Sequence, residues 1–211
     1  MCIKNIIRQP IIPLSIFILI GSQYTFGQNH SNPKLILQIT IDQLRADLPG
    51  TVFDRLPEGG FKYFYTHGIV YENAHHRHAN TETVVGHTTL ATGADPAQHG
   101  MIGNLWYDKE LKRTVYNVED YRDPLIGSNA GVDKDTEIDP SQAAASTDGR
   151  SPMTINTTTF SDELAMNTNG KAKVFGISVK DRGAITMAGH AGKAFWFSKA
   201  TGQFVSSTYY Y

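Results

Sequence analysis

The chain has 211 residues with 19 Lys and Arg against 20 Asp and Glu, a formal net charge of -1. Such a balance speaks against a nucleic-acid surface and against a strongly acidic or basic partner surface. The single cysteine, Cys2, leaves no disulfide framework and no thiolate metal site.

Residues 1–27 read differently from the rest. Lys4 and Arg8 precede the apolar stretch IIPLSIFILI, and SQYTFGQ then sets the small residues Thr25 and Gly27 ahead of Gln28. That is the arrangement of a cleaved secretory signal peptide. The alternative, a membrane anchor, suits the run from Ile11 to Ile20 poorly, since a spanning helix needs roughly 20 apolar residues. Removal of the signal leaves residues 28–211, roughly 184 of them, enough for a core of ordinary size. The expected location is periplasmic or secreted, with no membrane attachment after cleavage.

Taken in chain order, PKLILQITIDQL reads as a buried parallel strand that ends at Asp42, and RADLPGTVFDRLPEGGFKYFYTHG carries helical apolar spacing. IVYENAHHRH alternates as a second strand. TETVVGHTTLATG predicts a short helix stopped by Gly93, with Thr81 or Asn80 as N-cap. From Asn117 to Pro152 the chain is rich in Asp, Gly, Ser and Ala and has little periodicity, which predicts a long surface loop to which composition assigns no role. TTTFSDELAMNTNG then predicts a capped helix ending at Gly170, AKVFGISV a buried strand, and KAFWFSKATGQFVSS a hairpin turning at KATG. Strands alternating with helices point to an α/β sheet whose ligands gather at the carboxyl ends of the strands. Asp42, the Thr83 region and Lys180 all fall at such ends. The β-prone, aromatic ending FWFSKATGQFVSSTYYY fits either an edge strand or a chain cut within its fold.

Three features could carry chemistry. Thr83 opens the predicted helix, where the dipole, free backbone N–H groups and a nearby divalent cation held by Asp42 would favour an alkoxide; the plainer reading is a capping threonine. His75, His76 and His78 crowd together in HHRH, but in a strand they divide between two faces and no carboxylate stands near to complete a metal set. His87, four residues after Thr83, reads as a packed, hydrogen-bonded histidine. In SVKDRGAI, Lys180 and Arg182 bracket Asp181, and on an extended strand end two such cations converge on a single anion such as phosphate. The alternative is a solvated basic rim partly neutralised by Asp181.

Together, ITIDQLRAD, ANTETVVGHTTLATGADPAQHGMIGNLWYD, SPMTINTTTFSDEL, GISVKDRGAI and FWFSKATGQFVSSTYYY resemble, in order, the amino-terminal part of the alkaline phosphatase superfamily. The resemblance is to its secreted, phosphate-irrepressible bacterial phosphatases with a threonine nucleophile, and it runs from about Lys34 to Tyr211. It implies an alkaline-phosphatase-like α/β fold, a mostly parallel sheet with flanking helices, incomplete in this chain.

The resemblance also implies roles. Thr83 would be the nucleophile and a zinc ligand, Asp42 a second zinc ligand, and Asn104 a donor to a phosphoryl oxygen. Lys180 and Arg182 would be the pair that marks phosphate monoesterases. Two zinc ions (Zn2+) would flank the phosphoryl group, and a covalent phosphothreonine would be hydrolysed by zinc-bound water. The family's remaining zinc ligands lie downstream of the Lys-x-Arg motif and are absent from this chain, so the expectation is a truncated and inactive fragment. A phosphodiesterase or nucleotide pyrophosphatase of the same superfamily, and a non-catalytic phosphate-binding short form, are the alternatives.

Overall fold

The computed structural model describes residues 33–211, so the expected signal peptide at residues 1–27 lies outside the described residues. The chain divides into two units, Met1–Ile39 and Thr40–Tyr211. In the first, the described residues 33–39 form neither helix nor strand. The second contains every described element. α1 (Leu48–Thr51) and α2 (Phe61–His67) are short, and a single 3-10 turn over Phe53–Arg55 lies between them. α3 (Thr83–Thr92) and α4 (Pro96–His99) follow, then a hairpin of β1 (Leu105–Asp108) and β2 (Arg113–Tyr116). β3 (Leu125–Ile126) and α5 (Pro140–Ala143) punctuate a long irregular stretch, before α6 (Phe160–Asn167), β4 (Phe175–Ser178), α7 (Asp181–Ala188), β5 (Lys193–Ser198) and β6 (Gln203–Ser207).

The α/β class expected from the sequence is the class observed. The larger sheet has the order β3-β6-β5-β4. Its one parallel pair is β4–β5, joined through α7, while β5–β6 and β3–β6 run antiparallel. The KATG turn closes the β5–β6 hairpin as predicted, with Gly202 N donating to Ser198 O at 2.8 Å. α6 forms where it was expected, under a reciprocal cap: Asp162 N donates to Thr159 Oγ1, and Thr159 N donates to Asp162 Oδ2 at 2.8 Å.

Two expected strands are absent, and both misses have the same cause. Residues 34–44 and 69–78 are β-prone, but neither has a ladder partner among the described residues, and without paired backbone groups such runs do not become strands. Leu35, Leu37 and Ile39 are exposed where a buried strand was expected, as are Ile69 and Tyr71 in the second segment. β4 does form but lies at the sheet edge, so only Gly176 of its four residues is buried.

The core gathers Val84 and Val85 of α3, Ala184, Ile185 and Ala188 of α7, Ala194 and Trp196 of β5, and Val205 of β6. α7 packs between the sheet and α3, which explains why seven of its eight residues are buried, polar ones included. α3 is made of middling helix formers and holds its shape by burial. Val84 and Val85 are fully buried, each side chain contributing about 1.5–3 kcal/mol. The hydroxyls of Thr88 and Thr92 donate to the carbonyls of Val84 and Thr88, both at 2.7 Å, so these threonines enter the interior satisfied. Gly93 ends the helix in the left-handed conformation, φ 68°.

β4 and α7 approach so closely that only glycine fits at position 176. A Cβ there would collide with Ala184 O and sit 2.7 Å from Ala188 N, both backbone atoms of a buried helix. Gly176→Ala should therefore destabilise the fold by about 3 kcal/mol. Gly50→Ala, with nothing within 4 Å of the added carbon, should be near neutral. Urea midpoints for the two variants that coincide would refute this account of the β4–α7 contact.

Candidate active site

Thr83 is the first residue of α3, as the sequence suggested, but the N-cap is neither Thr81 nor Asn80. Glu82 occupies that position, and Asn80, two residues earlier, takes the Glu82 N–H on its Oδ1 at 3.1 Å. The Asx turn forms because the short Asn side chain folds back on its own backbone. Thr83 Oγ1 donates to Asp42 Oδ2 at 3.3 Å, which brings together two residues 41 positions apart. They line an open cleft of about 280 Å³ with His76, Glu82 and His87. His87 Nδ1 lies 2.7 Å from Thr83 O, so it is a hydrogen-bonded helix histidine, as expected.

Asn104 meets the same turn. Its Oδ1 accepts the Val84 N–H at 3.2 Å, and its backbone N–H donates to Glu82 Oε2 at 2.6 Å. Its own carbonyl accepts from Asn117 Nδ2 at 2.7 Å. The three expected residues Asp42, Thr83 and Asn104 thus form one group at the start of α3.

Of the HHRH histidines, His76 lines the cleft beside Thr83, while His75 and His78 are engaged elsewhere. His78 Nε2 lies 2.9 Å from Thr89 Oγ1, and His99 Nε2 reaches the same hydroxyl at 3.1 Å. Met101 N donates to His99 Nδ1, so the His99 proton sits on Nε2. Burial, reinforced by the nearby His78, pushes His99 below its ordinary value and keeps it neutral. His75 Nε2 pairs with Asn73 Oδ1 at 2.8 Å.

Lys180 and Arg182 do converge on one anion, and here it is a carboxylate of the chain. Lys180 caps α7 in extended conformation and Arg182 lies one residue inside the helix. Lys180 Nζ donates to Asp139 Oδ2, and Arg182 Nη2 reaches the same oxygen at 3.0 Å. Burial raises the Asp139 carboxyl, but bonds from Lys180 and Ser141 and the Arg182 charge outweigh it and hold the group well below the usual carboxylate range. A rim neutralised by Asp181 is not what forms. Arg182 is buried, and Asp181 turns inward to Arg150 Nε at 2.5 Å and Tyr116 Oη at 2.6 Å. Arg182 Nε is buried with no partner among the described residues.

Asp139 and Arg150 belong to the Asn117–Pro152 stretch, which composition left without a role. It is a tethered stretch, not a plain surface loop: Asn117, Asp139, Ser141, Gln142 and Arg150 are buried polar residues. Its one readable signal was Asp139 before Pro140, an N-cap followed by proline at the first helical position, and Asp139 Oδ1 does accept from Ser141 N at 3.0 Å. Nothing in sequence spacing joined Asp139 to Lys180, 41 residues away.

The two groups are neighbours. A Cβ on Gly183, the residue after Arg182, would lie 4.0 Å from His87 Cδ2 on α3. No hydrogen bond among the described residues links Lys180 or Arg182 to Thr83 or Asn104. Asp42 and Thr83 offer two oxygen donors to a divalent cation, whereas zinc takes three or four protein ligands. No group of three His, Cys, Asp or Glu side chains among the described residues could hold a metal ion. Asp42 and Thr83 would supply two of the ligands a divalent cation needs, and the described residues do not complete such a site.

The family described as type I phosphodiesterase / nucleotide pyrophosphatase matches residues 36–203, most of the chain. This chain belongs to that family, within the alkaline phosphatase superfamily. It is 38% identical over 193 residues to alkaline phosphatase PafA of Elizabethkingia meningoseptica, covering 91% of this chain and 32% of that protein. It is 40% identical over 188 residues to alkaline phosphatase PhoV of Synechococcus elongatus, covering 88% and 31%. The chain therefore spans about a third of the length of these relatives. The crystal structure of PafA superposes with a TM-score of 0.69 at 38% identity, over 80% of this chain and 30% of that one. A PafA variant with one threonine, one asparagine, one lysine and one arginine replaced gives 0.70 at 36% identity, over 81% and 30%. The fold is thus that of the alkaline phosphatases over four-fifths of the chain.

Proposed function

We propose that this chain carries the nucleophile and the phosphate-binding groups of a secreted or periplasmic, zinc-dependent phosphatase acting on phosphate monoesters. The observation that carries the reading is the meeting of Thr83, Asp42 and Asn104 at the first turn of α3. In this reading Thr83 Oγ1 forms the new bond to phosphorus as the bond to the leaving oxygen breaks, and water then hydrolyses the phosphothreonine. The start of α3 turns backbone N–H groups and the positive end of the helix dipole toward the incoming anion. Asn104 holds a phosphoryl oxygen, and Lys180 and Arg182 supply positive charge to the transferred group. Asp42 and Thr83 would contribute two ligands to a zinc ion, which when bound supplies the charge that favours the alkoxide. The rest of that shell, and a second zinc, require residues beyond those described, so in this reading the chain alone does not turn over.

The replaced residues of the PafA variant support the assignment: their types and order are those of Thr83, Asn104, Lys180 and Arg182, and the spacing within the Thr–Asn pair and within the Lys–Arg pair is the same, while this chain has 14 more residues between the two pairs. No helix among the described residues is long and apolar enough to cross a membrane. The family's own description favours a second reading, hydrolysis of phosphodiesters. A terminal phosphoryl group offers one more charged oxygen than a diester, and two cations suit the former. In the protein as it occurs in its native source, Lys180→Ala with Arg182→Ala should cut kcat/KM for 4-nitrophenyl phosphate by about a hundredfold to a thousandfold, the bis ester changing less than about tenfold. Equal losses on both esters, or none, would transfer support to the diesterase reading.

A further inference from the structure

We propose that Glu82 is a positioning residue that fixes Asn104 as a phosphoryl donor; the inference rests on the reading of Asn104 given above. The two segments are laced reciprocally across Thr83. The side chain of Glu82, just before Thr83, accepts the backbone N–H of Asn104 at 2.6 Å. The side chain of Asn104 accepts the backbone N–H of Val84, just after Thr83, at 3.2 Å. A backbone N–H can face only the oxygen of an amide, so the Val84 bond fixes which way the Asn104 side chain is turned. That leaves Nδ2, with its two N–H groups, making no hydrogen bond among the described residues.

The rest of the lacing is structural support. Asn80 Nδ2 donates to Ile102 O at 2.8 Å, and Asn117 Nδ2 holds Asn104 O at 2.7 Å. Glu82 differs from these in gripping Asn104 at its own N–H through a charge-assisted bond, the stronger kind, while its backbone starts the helix that carries Thr83. Removing that grip frees Asn104 to rotate away from the turn, and its amide then has to be ordered afresh by each phosphate that binds.

The test measures inorganic phosphate affinity of the full chain by calorimetry, alongside thermal midpoints. Glu82→Ala should weaken binding about tenfold, the worth of one well-placed charge-assisted bond. Glu82→Gln, which can still accept from Asn104 N, should recover most of that loss. Glu82→Asp keeps the charge and places a preferred N-cap residue there but falls a methylene short of Asn104 N, so it should bind as weakly as Glu82→Ala while melting no lower than the parent chain. In the Asn104→Ala background, Glu82→Asp should have no further effect. Wild-type affinity in Glu82→Asp, or losses that multiply in the double variant, would overturn the proposal while leaving the phosphate site standing. If the parent chain binds no phosphate, or binds it equally well after Lys180→Ala with Arg182→Ala, the reading of the site fails first and this inference fails with it.

Discussion

Thr83→Ala should abolish phosphoenzyme formation and lower 4-nitrophenyl phosphate turnover by at least about a thousandfold in the protein from its native source. A covalent step has no substitute once its oxygen is gone, so the loss should fall in kcat. The fold should be indifferent to the change. Thr83 is only partly buried, its hydroxyl makes a single 3.3 Å bond to Asp42, and alanine is the better helix former at that position. Thr83→Ser, which keeps a hydroxyl, should retain a measurable acid-stable phosphoprotein. An alanine variant that still turns over, or still traps phosphate covalently after acid quench, would remove Thr83 from the role proposed for it.

The second large effect is on stability. Arg150 and Asp181 form an ion pair at 2.5 Å with side chains 2% and 1% exposed. Asp181 also accepts from Tyr116 Oη at 2.6 Å, Gln142 Nε2 at 3.0 Å and the Arg182 backbone at 2.7 Å. Arg150 further donates to Thr147 O and Gly149 O, and its guanidinium carbon lies 5.0 Å from the Tyr116 ring centroid. Such a pair contributes little net stability against a hydrophobic replacement, but removing one partner strands a buried charge. Arg150→Ala should therefore destabilise the fold by about 3–5 kcal/mol, a large part of the total stability of an ordinary domain. Adding Asp181→Asn should restore much of the loss, because asparagine still accepts from Tyr116 and carries no charge. A denaturant-melt loss under about 1 kcal/mol for Arg150→Ala would show that the pair is not the anchor described here.

Local signals carried α3, α6 and the β5–β6 hairpin. Gly93, Thr159 with Asp162, and KATG are all short-range instructions that act within one turn, and the structure uses each of them. The segments at 34–44 and 69–78 had β propensity without an instruction about partners, and propensity alone does not make a ladder. The tethered Asn117–Pro152 stretch is the reverse case. It lacks periodicity because its order comes from buried bonds to distant residues: Asp139 to Lys180 and Arg182, Arg150 to Asp181, and Thr154 Oγ1 to Asn117 O at 2.5 Å.

The candidate site divides along the same line. By itself the sequence determined that Thr83 opens a helix, that Lys180 and Arg182 stand close enough to converge on one anion, and which superfamily the ordered motifs resemble. These follow from residue type and near spacing, which a linear chain displays directly. Only the tertiary structure decided that Asp42 lies against Thr83, that Glu82 and Asn104 lace the turn from either side, and that Asp139 gathers the two cations. Each of those contacts joins residues between 20 and 43 positions apart, through side chains whose meeting depends on tertiary packing around α3 and α7.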